Sequence, residues 1–173
     1  VDVPDMTLIN TLMHVLMSVE AATIHRRWLQ TRRQDYSDQV ASRIELGLFY
    51  PATRYAEALG MRASLAREFV DTSLGKVDVL HLPAIPIPVP TIEDTTRGDP
   101  ADVARTIGVI GHCTRGINYL GLPAISVPAG FDSKGLPVAF QLVGRPFSEA
   151  RLLHAADAYQ RVTDWHRRSP PKA

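Results

Sequence analysis

Residues 114–147 open with Thr114-Arg115-Gly116-Ile117-Asn118-Tyr119-Leu120-Gly121-Leu122-Pro123 and pass into the apolar run Ala124-Ile125-Ser126-Val127-Pro128. They then turn at Gly130-Phe131-Asp132-Ser133-Lys134-Gly135 and continue as Val138-Ala139-Phe140-Gln141-Leu142-Val143-Gly144. This order predicts strand, turn, strand. Asp folds back on its own backbone and Gly takes positive φ without steric penalty, so 132–135 supply the turn. In the second run Val138, Phe140 and Leu142 share one face and Ala139 and Val143 the other, which predicts burial from both sides.

Working outward, Asp78-Val79-Leu80-His81-Leu82 predicts another strand that runs into Pro83, Pro86, Pro88 and Pro90. Proline's fixed φ and missing N–H make that segment extended and bar it from a sheet centre. The polar residues 91–100 predict an exposed excursion, and Asp102 a cap for a helix reaching about Gly111. Near the N-terminus Ile9, Leu12, Met13, Leu16 and Val19 recur at helical spacing and predict a helix over 7–30. Glu20 falls on its apolar flank, where an ionised carboxylate needs a partner. A second helix over 35–48 ends near Gly47, and Pro51 opens a third. Its inward stripe is Tyr55, Leu59, Ala63, Ala66, Phe69 or Val70, and Leu74. Downstream, Ser148 caps a helix with Leu152, Ala156, Tyr159 and Val162 or Thr163 inward. The tail from Trp165 to Pro170-Pro171-Lys172-Ala173 is expected to fray. Alternating helices and buried strands predict an α/β layer architecture.

With 173 residues, 45% hydrophobic and 21% charged, the chain is long enough for one core and ordinary in composition. A formal net charge of +1 and scattered arginines argue against a nucleic-acid partner. The single cysteine, Cys113, excludes an internal disulfide framework and any zinc site built on paired thiols. No run is expected to reach the length of a membrane span, and no basic segment followed by an apolar one marks a signal peptide, so a soluble, cytoplasmic protein is expected.

The order Asn118-x-x-Gly121-Leu122-Pro123-Ala124-x-Ser126-x-Pro128-x-Gly130-Phe131, then Gly135-Leu136-Pro137-x-x-x-Gln141-Leu142-Val143-Gly144-Arg145-Pro146-Phe147, resembles the C-terminal part of the amidase signature family. The likeness continues more weakly through Asp78-Val79-Leu80, the prolines and the helices before them. It implies an α/β fold in which a mixed, twisted central sheet is flanked by helices on both faces, present here only in part. It also implies that residues 1–173 are the C-terminal portion of a single amidase domain whose catalytic N-terminal half is absent, and the start at Val1 suits a fragment or a processed chain.

The resemblance implies chemistry as well. Family members cleave a carboxamide C–N bond through an acyl-serine intermediate, using a serine nucleophile, a second serine in a cis linkage and a lysine base in a glycine-serine-rich setting. No two serines are adjacent here, and the lysines are Lys76, Lys134 and Lys172, so no residue of this chain is expected to be catalytic. Ser126 lacks the flanking glycines of a nucleophile elbow, and its hydroxyl is expected to bond backbone at a strand end. No histidine pair has ligand spacing and no phosphate loop occurs, so neither metal nor cofactor is expected. What remains is a share of the substrate pocket. Leu82 and Ile85 are expected to form an apolar wall that suits an apolar or aryl substituent, and Thr114, Asn118 and Gln141 its polar side. The plainer reading of Asn118 and Gln141, as structural pins for loops, is the preferred one.

The family commonly carries Pro-Phe before the asparagine where this chain has Gly116-Ile117. Relatives that serve the tRNA-dependent amidotransferase tend to carry an acidic residue where this chain has Gly111, so a general amidase is the preferred reading. An A-type subunit of that amidotransferase is one alternative, and a non-catalytic truncated relative acting as a scaffold or interaction protein another. The expected partners are a small-molecule amide and the missing N-terminal half. Apolar faces left open would allow self-association into a homo-oligomer.

Overall fold

The structure, a computed structural model, describes residues 1–169. A 27-residue helix, α1 (Met6–Arg32), forms its spine, and the Asp5 carboxylate caps it by accepting from the Thr7 N–H at 2.9 Å. By length and a mean hydropathy of 1.3, the segment around α1 is apolar enough to cross a bilayer, which corrects the expectation that no run reaches that length. In the fold its stripe of Ile9, Leu12, Val15 and Leu16 is buried in the protein's own core. Helix α2 (Asp38–Glu45) and a 3-10 turn at Leu46–Leu48 fold back against α1. Helix α3 (Ala52–Ser73) follows directly after Pro51. Glu20, expected on an apolar flank, is exposed within reach of the Tyr55 hydroxyl at 3.4 Å, so its charge stays in water.

The buried positions of α3 are Ala58, Phe69 and Ser73, with Tyr55, Met61, Leu65, Ala66 and Val70 half-buried around them. Leu59 and Ala63 face solvent instead, because the helix turns its small Ala58 to the core, where the Ala58 carbonyl accepts from the buried Tyr119 hydroxyl. The sheet has three strands, β1 (Leu80–Pro83), β2 (Ala124–Phe131) and β3 (Pro137–Val143), in the antiparallel order β1-β3-β2. Leu80 pairs with Val143 and Ser126 with Gln141, and a bulge separates Pro128 from Gly130. Pro83 and Pro128 sit on outer strands, where a missing N–H is tolerated.

Helices cover both faces of this sheet. Leu80 and Val143 join the cluster of α1 and α3, whereas Val127 and Leu142 pack on Leu152 and Ala156 of helix α7 (Glu149–Arg161). The fold is therefore α/β, mostly helical with a small sheet. Two-sided burial of β3 holds only for its second half, since Val138 near the turn is 39% exposed. Val162 is exposed past the end of α7. Trp165, expected to begin a fraying tail, stacks edge-on against Phe131 with centroids 6.1 Å apart, while 170–173 lie outside the described residues.

Three helices depart from the sequence reading. The excursion at 91–100 holds a short helix, α4 (Ile92–Thr96), closed by a reciprocal capping box between Thr91 and Asp94. Helix α5 (Pro100–Ile110) takes Asp99 as its cap rather than Asp102, because Pro100 occupies the first helical position. Asp102 lies in the first turn and pairs with Arg105. Residues read as the run-in to a strand form α6 (His112–Leu120), which buries Gly116, Ile117, Tyr119 and Leu120 against α1 and α3. Gly121 ends it in the left-handed region at φ 70°, where its N–H reaches the Ile117 carbonyl at 3.1 Å.

His14 on α1 faces this packing, with Nδ1 3.4 Å from the Tyr50 hydroxyl. Burial first, then the guanidinium groups of Arg115 and Arg43, hold its imidazole below the ordinary 6.5. The folded state thus favours the neutral ring: this stability is fully present above pH 6.5 and is lost as pH falls through the lowered folded value. His14→Gln should flatten the slope of unfolding free energy on the acid side of that pH, measured by urea titration across a pH series.

Candidate functional site

A cavity of about 510 Å³ opens between the proline segment, the α5–α6 junction and the β2–β3 pair. Ile85, Ile87 and Val89 form one wall, Ile110 and Ile117 another, and Thr114, Asn118, Ser126 and Gln141 bring polar groups to it. The lining carries no charged side chain. Such a site suits a neutral ligand with an apolar body and one amide or carbonyl to orient.

Gln141 holds the walls in place. It is 3% exposed, and its Nε2 donates to the Pro83 carbonyl at 3.1 Å and to the Cys113 carbonyl at 2.8 Å. One amide thereby ties the start of the proline segment to the first turn of α6. Burial pushes the Cys113 thiol up, so this cysteine is a poor thiolate nucleophile.

Four of the five residues chosen from sequence, Ile85, Thr114, Asn118 and Gln141, line this cavity together. Leu82 does not. It pairs with Gln141 and so shares that face of the sheet, but it lies across β3 from β2, where it packs on the helical core. Asn118 is exposed on the last turn of α6. Ser126 belongs to the lining, and its expected backbone bond is not formed among the described residues. The pairing of Ser126 with Gln141 puts both on one face; counting from the turn would set Ser126 opposite Leu142, and the bulge between Pro128 and Gly130 shifts the register by the one residue that brings it to Gln141. Ile87, Val89, Ile110 and Ile125 were also missed, since nothing in their spacing distinguishes a cavity wall from core. Among the described residues no three His, Cys, Asp or Glu side chains gather in a way that would hold a metal ion.

The amidase family model matches residues 5–153. Among curated relatives, the A subunit of glutamyl-tRNA(Gln) amidotransferase from Chloroflexus aggregans is 40% identical over 158 residues, covering 89% of this chain and 31% of the relative. Its counterpart of the same description from Moorella thermoacetica is 39% identical over 159 residues, covering 89% of this chain and again 31% of the relative. The chain thus spans about a third of the length of the relatives it matches. Among solved structures, 6-aminohexanoate cyclic dimer hydrolase superposes on 92% of this chain and 36% of its own with a TM-score of 0.76 at 20% identity, a likeness of fold.

Proposed function

The chain belongs to the amidase family, and on that premise we propose that it builds the acyl-pocket side of a serine amidohydrolase that cleaves neutral carboxamides. The uncharged cavity carries this reading. In the proposed reaction a serine oxygen from a preceding segment attacks the amide carbon, the C–N bond breaks, and the amine leaves with a proton. Water then hydrolyses the acyl ester and frees the serine. The residues here bind and orient: Ile85, Ile87 and Ile117 exclude water from the acyl substituent, and Asn118 and Thr114 offer hydrogen bonds at the rim.

A second reading, an A-type subunit of a glutamine-using amidotransferase, is favoured by the relatives of that description. Glutamine bears a free ammonium and a carboxylate, however, and the cavity lining offers neither a counter-charge for one nor for the other. Neutral amides fit it better.

The test is a chimera in which this chain replaces the matched segment of the Chloroflexus aggregans relative, with ammonia release as the assay. Benzamide should be turned over with higher kcat/KM than glutamine, and Asn118→Ala should raise KM for benzamide about tenfold with kcat little changed, as loss of one bond to a bound amide implies. The 173-residue chain alone should release no ammonia. Preference for glutamine would favour the second reading, and turnover by the chain alone that disappears in Ser126→Ala would overturn both.

A further inference from the structure

A second cavity of about 680 Å³ lies between α1, α2 and α5, on residues the amide site does not use. Its chemistry is the reverse of the first. Arg33, Arg43 and Arg115 reach it, against the single carboxylate of Asp38. Arg33 is already committed, donating to Glu45 at 2.8 Å and to Asp38 at 3.1 Å. Arg43 and Arg115 pair with no carboxylate among the described residues, and the neutral His14 between them supplies no countercharge.

Two guanidinium groups without a counter-ion repel one another. Arg115 is half-buried, and its guanidinium is pushed below its ordinary range, first by burial and then by Arg43. Its end folds back over Gly111, where an added Cβ would meet Nη2 at 2.7 Å, so the absence of a side chain at 111 is what seats it. Opposite the two arginines, Val103, Ala104 and Ile107 of α5 present an apolar wall. The volume lies in the range that takes a small organic molecule and exceeds what a bare inorganic anion fills. Planar guanidinium forks match the two oxygens of a carboxylate.

We propose that this cleft is a binding site for a small organic carboxylate, with Arg43 and Arg115 holding the carboxylate and the α5 wall the apolar body. The site stands on residues separate from those of the amide reading and does not depend on it. A carboxylate of the longer polypeptide would satisfy the same arginines, and the test separates the two sources.

Benzoate is titrated into the 173-residue chain by calorimetry, with chemical shifts of Ala104, Ile107 and the Arg115 side chain followed by NMR, and benzamide serves as the uncharged isostere. Benzoate should bind at least tenfold more tightly than benzamide, and Arg43→Gln with Arg115→Gln should weaken it tenfold or more, as charge-assisted bonds to guanidinium imply. Arg43→Lys should restore part of the loss. Equal binding of benzamide, shifts confined to the amide cavity, or benzoate binding unchanged in the double variant would overturn the proposal. So would loss of benzoate binding in the chimera, which would assign the site to a carboxylate of the longer polypeptide. Should the double variant fail to fold, the benzoate-to-benzamide ratio in the native chain decides.

Discussion

Gly47→Ala is expected to remove about 3 kcal/mol of folding free energy, at the upper end of what overpacking a filled core does. A Cβ at this position would stand 1.9 Å from the Ser18 carbonyl oxygen, 2.4 Å from its carbon and 2.8 Å from the Ala22 Cβ. The obstructing atoms are helix backbone, so α1 itself must shift or the turn at Leu46–Leu48 must lift away. Either movement opens the seam that buries Ser18 and Ala22, each 2% exposed. Two other glycines set the scale. At Gly116 the nearest atom to an added Cβ is the flexible end of Met6 at 2.4 Å, so Gly116→Ala should be milder. At Gly60, inside α3, nothing lies within 4 Å, and alanine should stabilise by about 0.5–1 kcal/mol through helix propensity. Urea unfolding of the three variants would show this order in midpoint at unchanged slope. A Gly47→Ala midpoint equal to wild type would refute the seam.

Gln141→Leu is the second large effect, about 2 kcal/mol, from the loss of two part-buried hydrogen bonds. Leucine fills the same space, so the loss measures the bonds to Pro83 and Cys113 rather than a cavity. Its consequence for binding should exceed its consequence for stability. Once the tie is gone, the proline segment and α6 are free to move apart, and the apolar walls no longer hold their spacing. In the chimera kcat/KM for benzamide should fall well beyond tenfold while the chain remains folded at room temperature. Gln141→Glu offers a sharper control, because a carboxylate cannot donate to either carbonyl and would be desolvated besides. If Gln141→Leu leaves kcat/KM untouched, the walls are held by something else.

The parts legible in the sequence were those whose signal is local. The turn at 132–135 announces itself in Asp and Gly, and the Asp132 carboxylate indeed accepts from the Lys134 N–H at 2.8 Å and the Leu136 N–H at 2.9 Å. The apolar period of α1 needed no context. Gln141, the lone polar side chain of an apolar strand, had to find partners, and its two acceptors are what burial demanded. Helix α6 was hidden because Thr114, Gly116, Ile117 and Tyr119 are mediocre helix formers, and its stability comes from burying Ile117 and Tyr119 against other helices. Leu82 was misplaced although it shares a face with Gln141 and Ser126, because only the strand order shows that it lies across β3 from β2 and against the helical core. The capping box of Thr91 and Asp94 was visible in principle, since Thr-x-x-Asp is the acidic variant of a helix-start pattern, but it sat in a polar stretch with too few apolar residues to suggest a helix.

The middle strand of the sheet borrows its two neighbours on very different terms. β2 meets β3 across a tight turn, whereas β1 must be brought back over α4, α5 and α6 before Leu80 can find Val143. Hairpins close in microseconds, while a long loop adds an entropic penalty that rises with the logarithm of its length. The refolding sequence should therefore begin with the hairpin and its α7 backing and end with the docking of β1, so that amide-exchange protection at Leu80 and Leu82 arises last, on the same clock as the closing of the proline wall.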